Sequence, residues 1–145
     1  MDKIIKIRAG GIAYKDGKLI IARHHKEGKT YYVLPGGGLE NEESPQQALE
    51  REFIEETGFK VKVGRLAYYK ILYNDEYYSL DMIYECEIVG GKLEINDPDG
   101  KVEEVKFVDK EELDELVFYP EQLKEHLFKP GKEAVFLGIY RFPED

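Results

Sequence analysis

Apolar and polar residues alternate along Lys60–Tyr73, the spacing of a half-buried strand. Tyr78–Ile88 reads as a second strand across the turn Asn74-Asp75-Glu76. Upstream, Ile4–Tyr14 and Leu19–His24 read as strands around Asp16-Gly17, a strong hairpin signal. Thr30–Leu34 predicts a short strand that runs into the turn Leu34-Pro35-Gly36-Gly37-Gly38. Downstream, Gly90-Gly91 predicts a turn before a strand at Lys92–Ile95, and Asn96–Gly100 a polar loop. Val102–Val108 reads as a strand, Lys110–Leu116 as a short helix and Pro120–Phe128 as a further helix with Glu121 in its first turn. Ala134–Phe142 reads as a closing strand or extended tail. Between these strands lies one long helical segment, Pro45–Thr57. Its start carries a Ser44 cap, Pro45 at the first helical position and Gln47 three residues after the cap. Gly58 ends it, because glycine tolerates the left-handed conformation just past a helix.

Length and charge narrow the function classes. A chain of 145 residues suits one domain spanning 1–145. No run of 18 apolar residues predicts a transmembrane helix, and no membrane partner is expected. The first residues read as a strand rather than a signal peptide. The single cysteine, Cys86, excludes an internal disulfide and is expected to be an inert strand residue. Cytoplasm is the expected compartment. A net charge of −9 argues against binding duplex nucleic acid. It leaves room for a phosphorylated small molecule, because metal ions invert local charge. Oligomeric state is open, with a homodimer among the options.

The chemistry concentrates on the helix. At 100° per residue Glu52, Glu55 and Glu56 fall within an arc of about 100°. Leu49, Phe53 and Thr57 lie on the neighbouring arc and face the core, and Ala48 leaves room beside the carboxylates. Glu pairs at these spacings destabilise an isolated helix by about 0.2–0.5 kcal/mol each, so helix stability does not account for them. Carboxylate oxygens are hard ligands suited to Mg²⁺ or Mn²⁺. The carboxylates also sit in a fixed frame: Gly37, Glu43, Arg51, Glu52, Glu55, Glu56 and Gly58, with Phe53 and Phe59 in apolar slots. At roughly 7% usage per residue type, seven such identities arise by chance with a probability of about 10⁻⁸ per starting point. This frame resembles the Nudix box, and the chain resembles the Nudix hydrolases, in particular small MutT-like members.

The resemblance implies an α/β fold, a three-layer α/β/α sandwich with a mixed β-sheet. It implies that Glu52, Glu55 and Glu56 hold Mg²⁺ (or Mn²⁺), with the Gly36 carbonyl as a further ligand. Gly37 and Gly58 shape the turns, and Arg51 pairs with Glu43 as a buried bridge. Arg23, at the end of its strand, is the basic residue that reaches substrate phosphates in many relatives. Tyr32 stands where many relatives carry Trp and could stack on a base. Glu104 lies three residues before the aromatic Phe107, the offset of a further metal contact or general base, and Glu55 is the other catalytic carboxylate. His24, His25 and His126 lack metal-ligand spacing and are expected at the surface. The implied reaction cleaves a phosphoanhydride of a nucleoside diphosphate linked to another group, with (d)NTPs yielding NMP and pyrophosphate. ADP-ribose enzymes usually carry a Pro about fifteen residues past the box, and none occurs between Pro45 and Pro98. Dinucleoside polyphosphate or ADP-sugar cleavage and a non-catalytic nucleotide-binding regulator are the alternatives.

Overall fold

The structure is a computed structural model that describes residues 2–40, 42–129 and 131–142. Its strands are β1 (Ile4–Ile12), β2 (Tyr14–Lys15), β3 (Lys18–Lys26), β4 (Lys29–Val33), β5 (Gly36–Gly38), β6 (Phe59–Tyr73), β7 (Tyr77–Gly91), β8 (Val102–Val108), β9 (Phe118–Tyr119) and β10 (Val135–Arg141). Helix α1 spans Pro45–Thr57 and α2 spans Lys110–Glu115. The strands form two mixed sheets instead of the single one expected. One has the order β10-β6-β7-β1-β5, with β1 parallel to β7 and β10 parallel to β6. The other runs β2-β3-β4-β9, with β8 also on β3. The chain changes sheet between β4 and β5, at Leu34-Pro35. Pro35 has no N–H to extend a ladder, and its carbonyl accepts from Gly11 of β1.

Period-two alternation on β3 separates two core clusters. Leu19 and Ile21 pack with Val108, Leu113, Phe118 and Leu123. Ile20 and Ala22 pack with Leu49 and Phe53 of α1. All four β3 residues are fully buried, so this strand is covered on both faces, which gives the layered α/β arrangement.

Helix α1 forms as its sequence dictates. Ser44 Oγ accepts from Gln47 N, and the Gln47 side chain accepts from Ser44 N, a complete capping box. Gly58 closes it at φ 82°. A Cβ there would meet the Lys92 carbonyl oxygen at 2.1 Å, so Gly58 is fixed by packing as well as by φ.

Two segments differ from expectation. Lys92–Ile95 is not a strand; β7 runs on to Gly91, and the following chain turns to the end of α1. There Glu94 N donates to the Thr57 carbonyl and Asn96 N to that of Glu55. Open carbonyls at a helix C-terminus outcompete a sheet edge for these donors. Pro120–Phe128 forms only a short 3-10 turn at Glu121–Leu123, followed by irregular turns that end at Phe128 with φ 66°. Among the described residues no helix is long and apolar enough to cross a membrane.

Candidate active site

The site is built where α1 meets the glycine strand β5. Gly36 lies opposite Gly10 and Gly37 opposite Ala9 on β1. Gly36 has φ 156°, and a Cβ there would stand 2.1 Å from the Ala9 carbonyl oxygen. A Cβ on Gly37 would lie 2.7 Å from the Glu52 carboxyl. Bare backbone at these positions lets the carboxylates approach the loop.

Arg51 organises the helix face. Its Nε donates to Glu43 Oε2 at 2.8 Å and its Nη2 to Glu43 Oε1 at 3.0 Å, a bidentate pair. Nη2 also donates to the Gly38 carbonyl at 3.2 Å, pinning the loop to the helix. Nη1 donates to Glu52 at 2.9 Å and to Glu55 at 3.2 Å. One guanidinium thus offsets the repulsion among carboxylates on its own helix. Glu43 is held below its ordinary pKa, first by the Arg51 hydrogen bond.

Glu56 is the deepest carboxylate. Its Oε1 accepts from Gly36 N at 3.2 Å, and its Oε2 is buried without a partner. Burial pushes both Glu52 and Glu56 up to about 7, and the neighbouring Glu56 carboxyl raises Glu52 further. Glu55 is also raised, by burial and then by Glu52.

His24 departs from its expected surface position. Its side chain is only 18% exposed, and Nε2 lies 3.8 Å from Glu56 Oε2. Nε2 has no hydrogen-bond partner. Burial lowers its pKa, which Asp97 opposes. The same Asp97 charge acts on Glu56. Asp97 sits in the β7–β8 loop and accepts from the backbone N–H groups of Asp99, Lys101 and Val102.

A cleft of about 800 Å³ opens beside the glycine strand, within the size range of small-molecule sites. Its walls include Arg8, His24, Tyr31, Lys70, Asp81 and Tyr119. Arg8, Asp81 and Lys70 are directly opposed across β1, β7 and β6. Arg8 is exposed, and its charge reaches both Glu56 and His24. The Tyr31 and Tyr119 rings meet edge to face at 5.5 Å.

The expected phosphate, base and proton-transfer residues group elsewhere. Arg23 lies opposite Tyr32 on β4 and opposite Glu104 on β8. It pairs with Glu104 at 3.2 Å and Glu103 at 3.3 Å. Lys106 Nζ stands over the Tyr32 ring at 5.0 Å. Adjacent strand residues point to opposite faces, so Arg23 and Glu104 lie on the other face of β3 from His24 and Glu56. Arg23 and Tyr32 do not line the cleft; their neighbours His24 and Tyr31 do. Sequence reading missed Arg8, His24 and Asp97, because only the strand register brings them to α1.

The carboxylate face can be tested for fit to a metal. Among the described residues no three His, Cys, Asp or Glu side chains converge on one point. Arg51 draws Glu52 and Glu55 toward its Nη1, while Glu56 faces Gly36. The donors themselves are hard oxygens, one of them a buried orphan, set against the bare backbone of the glycine strand. They fit a hard divalent cation.

The NUDIX domain model matches residues 6–129. The chain belongs to the Nudix family. It is 32% identical over 120 residues to an ADP-ribose pyrophosphatase of Methanocaldococcus jannaschii, covering 81% of this chain and 69% of that protein. It is 36% identical over 83 residues to a MutT-like protein of Streptomyces ambofaciens, covering 57% of this chain and 51% of the other. The Bacillus halodurans MutT protein superposes with a TM-score of 0.70 at 21% identity, over 97% of this chain and 93% of that one. As a Nudix enzyme the chain is a pyrophosphohydrolase, and the α1–β5 junction is where its box residues gather.

Proposed function

We propose that this Nudix enzyme hydrolyses a phosphoanhydride of a nucleoside diphosphate linked to a further group, using Mg²⁺ or Mn²⁺ on the carboxylate face of α1. The observation that carries this reading is Glu56, whose buried, unpartnered Oε2 lies beside Gly36 and His24 and wants a cation. Glu52, Glu55, Glu56 and the Gly36 carbonyl would hold the ion. When bound, it neutralises phosphate charge and lowers the pKa of water.

The chain's own groups have separable roles. Arg51 keeps Glu52 and Glu55 on one side of the helix and ties them to the glycine strand. Arg8 offers a guanidinium to the phosphate chain across the cleft, where bidentate contact suits phosphate oxygens. The Tyr31 and Tyr119 rings provide an aromatic wall for a base. Glu55 is the acceptor best suited to take a proton from the attacking water. It is the most exposed of the three box carboxylates, 28% against 16% and 4% for the side chains of Glu52 and Glu56. Glu104, bound to Arg23 on the far side of β3, is the second choice.

(d)NTPs, giving NMP and pyrophosphate, are the first substrate reading, consistent with the missing proline past the box. ADP-ribose is the second, favoured by the name of the Methanocaldococcus relative and by a cleft roomy enough for a second ribose. A nucleotide panel with Mg²⁺ or Mn²⁺, with products resolved by chromatography, separates them. NMP with pyrophosphate supports the first; AMP with ribose 5-phosphate as the dominant activity replaces it with the second. Absence of turnover on every substrate overturns the enzymatic reading. Glu56→Gln is expected to lower turnover by at least ~10²-fold and to weaken Mn²⁺ binding measured by electron paramagnetic resonance.

A further inference from the structure

Outside helix α1, and the tyrosines apart, the buried polar side chains among the described residues are Lys70 and Ser79, 5% and 3% exposed. Both stand next to Asp81. Ser79 Oγ donates to Asp81 Oδ1 at 2.7 Å, and Lys70 opposes Asp81 in the β6–β7 ladder. On its other side Asp81 opposes Arg8 of β1, and Arg8 opposes Gly38 of the glycine strand. A row of cation, carboxylate and cation therefore leads away from the box, one strand spacing of ~4.8 Å at a time. Arg8, Asp81 and Lys70 all line the cleft. Burying an ammonium and a hydroxyl on a sheet face costs stability that an apolar row would not cost. The reverse face of the same three strands is such an apolar row, Ile7, Leu80 and Ile71. Packing alone does not call for the polar row; a ligand in the cleft does.

We propose that Asp81, oriented by Ser79 and flanked by Lys70, accepts hydrogen bonds from the ribose hydroxyls of the nucleotide, so that the cleft selects ribonucleotides over 2′-deoxyribonucleotides. This rests on the phosphoanhydride reading of the same site and narrows its substrate class. An ionised carboxylate only accepts, an ammonium only donates, and a hydroxyl does both. A vicinal diol therefore answers Asp81 and Lys70 together. A carboxylate has roughly four acceptor positions, so the Ser79 hydroxyl orients Asp81 without saturating it. A phosphate brings no donor to Asp81 and is repelled by it. The phosphate contact falls instead to Arg8, which stands between Asp81 and the glycine strand. The base has the Tyr31 and Tyr119 rings, which line the same cleft from the other sheet. Asp81 lies one strand beyond Arg8, as ribose lies one group beyond phosphate in a nucleotide.

Two measurements on the full chain test this. Steady-state kinetics with Mg²⁺ compares kcat/KM for ATP with dATP and for GTP with dGTP. Calorimetric titration compares AMP with 2′-deoxy-AMP and GMP with 2′-deoxy-GMP, which carry no phosphoanhydride and report binding without turnover. The ribose form is expected to be favoured by ~10–10²-fold, the size of one hydrogen bond to a charged group. Asp81→Asn is expected to bring that ratio to within about threefold of unity. A Lys70→Met, Asp81→Leu double variant removes both charges, so that neither is left buried alone, and is expected to do the same. Circular dichroism reports whether each variant keeps its fold. Equal rates and affinities for ribose and deoxyribose forms in the wild type overturn the proposal and leave the phosphoanhydride reading intact. So does a ribose preference that survives in the folded variants, or variants that change the choice between adenine and guanine instead. If no triphosphate is turned over, the phosphoanhydride reading fails and the titrations still decide. Tighter binding of the ribose form that is lost in the variants sustains the role of Asp81; equal binding, or none, overturns it.

Discussion

Gly37 shows how a missing atom can matter to chemistry more than to stability. A methyl group at this position would stand 2.7 Å from the Glu52 carboxyl, and its other close neighbours belong to that same side chain. A flexible carboxylate can swing away, so Gly37→Ala is expected to leave the melting temperature within a few degrees of wild type. The swing takes Glu52 from Arg51 and away from Glu56. Turnover is therefore expected to fall by ~10-fold or more, as for a displaced catalytic group. Loss of stability with retained specific activity would show that the loop, not Glu52, gives way. Arg51→Ala differs because its guanidinium joins three elements: Glu43, the Gly38 carbonyl and the helix face. Its side chain is 25% exposed and that of Glu43 17%. The bridge is only part-buried, so a loss of about 1–3 kcal/mol is expected, below the range for fully buried pairs. Denaturant unfolding measures it, and a wild-type midpoint would rule out the structural role.

At the scale of the element, α1 couples protons to metal. Glu52 and Glu56 are pushed up to about 7 by burial, against an ordinary value near 4.5. Between these values the folded chain holds more protons than the unfolded one, so stability falls as pH rises through 7. Glu43 shifts the opposite way, but its contribution is complete above its unfolded value and does not move in this window. The metal-free protein is expected to melt at a lower temperature at pH 8 than at pH 5.5. Mn²⁺ should raise the melting temperature more at pH 8, where no proton need leave first. A Glu52→Gln, Glu56→Gln double variant should flatten both trends; an unchanged slope would place the titration elsewhere. The helix was legible in the sequence because its determinants are local: a capping box, a stop glycine and carboxylates on one arc. The Glu43–Arg51 bridge followed from the family frame. The fate of Lys92–Ile95 was not legible, because its partners are helix carbonyls more than thirty residues away. His24 was unreadable for the same reason, since only the sheet register brings it to Glu56.

At the scale of the whole molecule, the two faces of a strand separate chemistry from scaffold. Sequence offset made Glu104 attractive as a base, and it lies near the site along the chain of β8. In the strand pairing Glu104 opposes Arg23, and the β3 residue that faces Glu56 is the next one, His24. Arg8 is the reverse case, an unremarked cation in the first strand that the parallel β1–β7 pairing sets in the cleft wall beside Asp81. Comparison of two variants tests this division. Arg8→Ala is expected to raise KM for the nucleotide by about 10-fold or more, with a smaller effect on kcat, as for a lost charge-assisted phosphate contact. Its fold should be unaffected, because the side chain is exposed. Glu104→Gln should leave kcat within about twofold and change stability by under about 1 kcal/mol, because both partners of its ion pair are about a third or more exposed. Steady-state kinetics at saturating Mg²⁺ reads both. If Glu104→Gln instead lowers kcat by a hundredfold at unchanged metal affinity, the reactive water lies on the Arg23 face. Arg23 and Tyr32 would then be the substrate contacts, and the cleft lined by Arg8 and Tyr31 would hold only the part of the substrate that leaves.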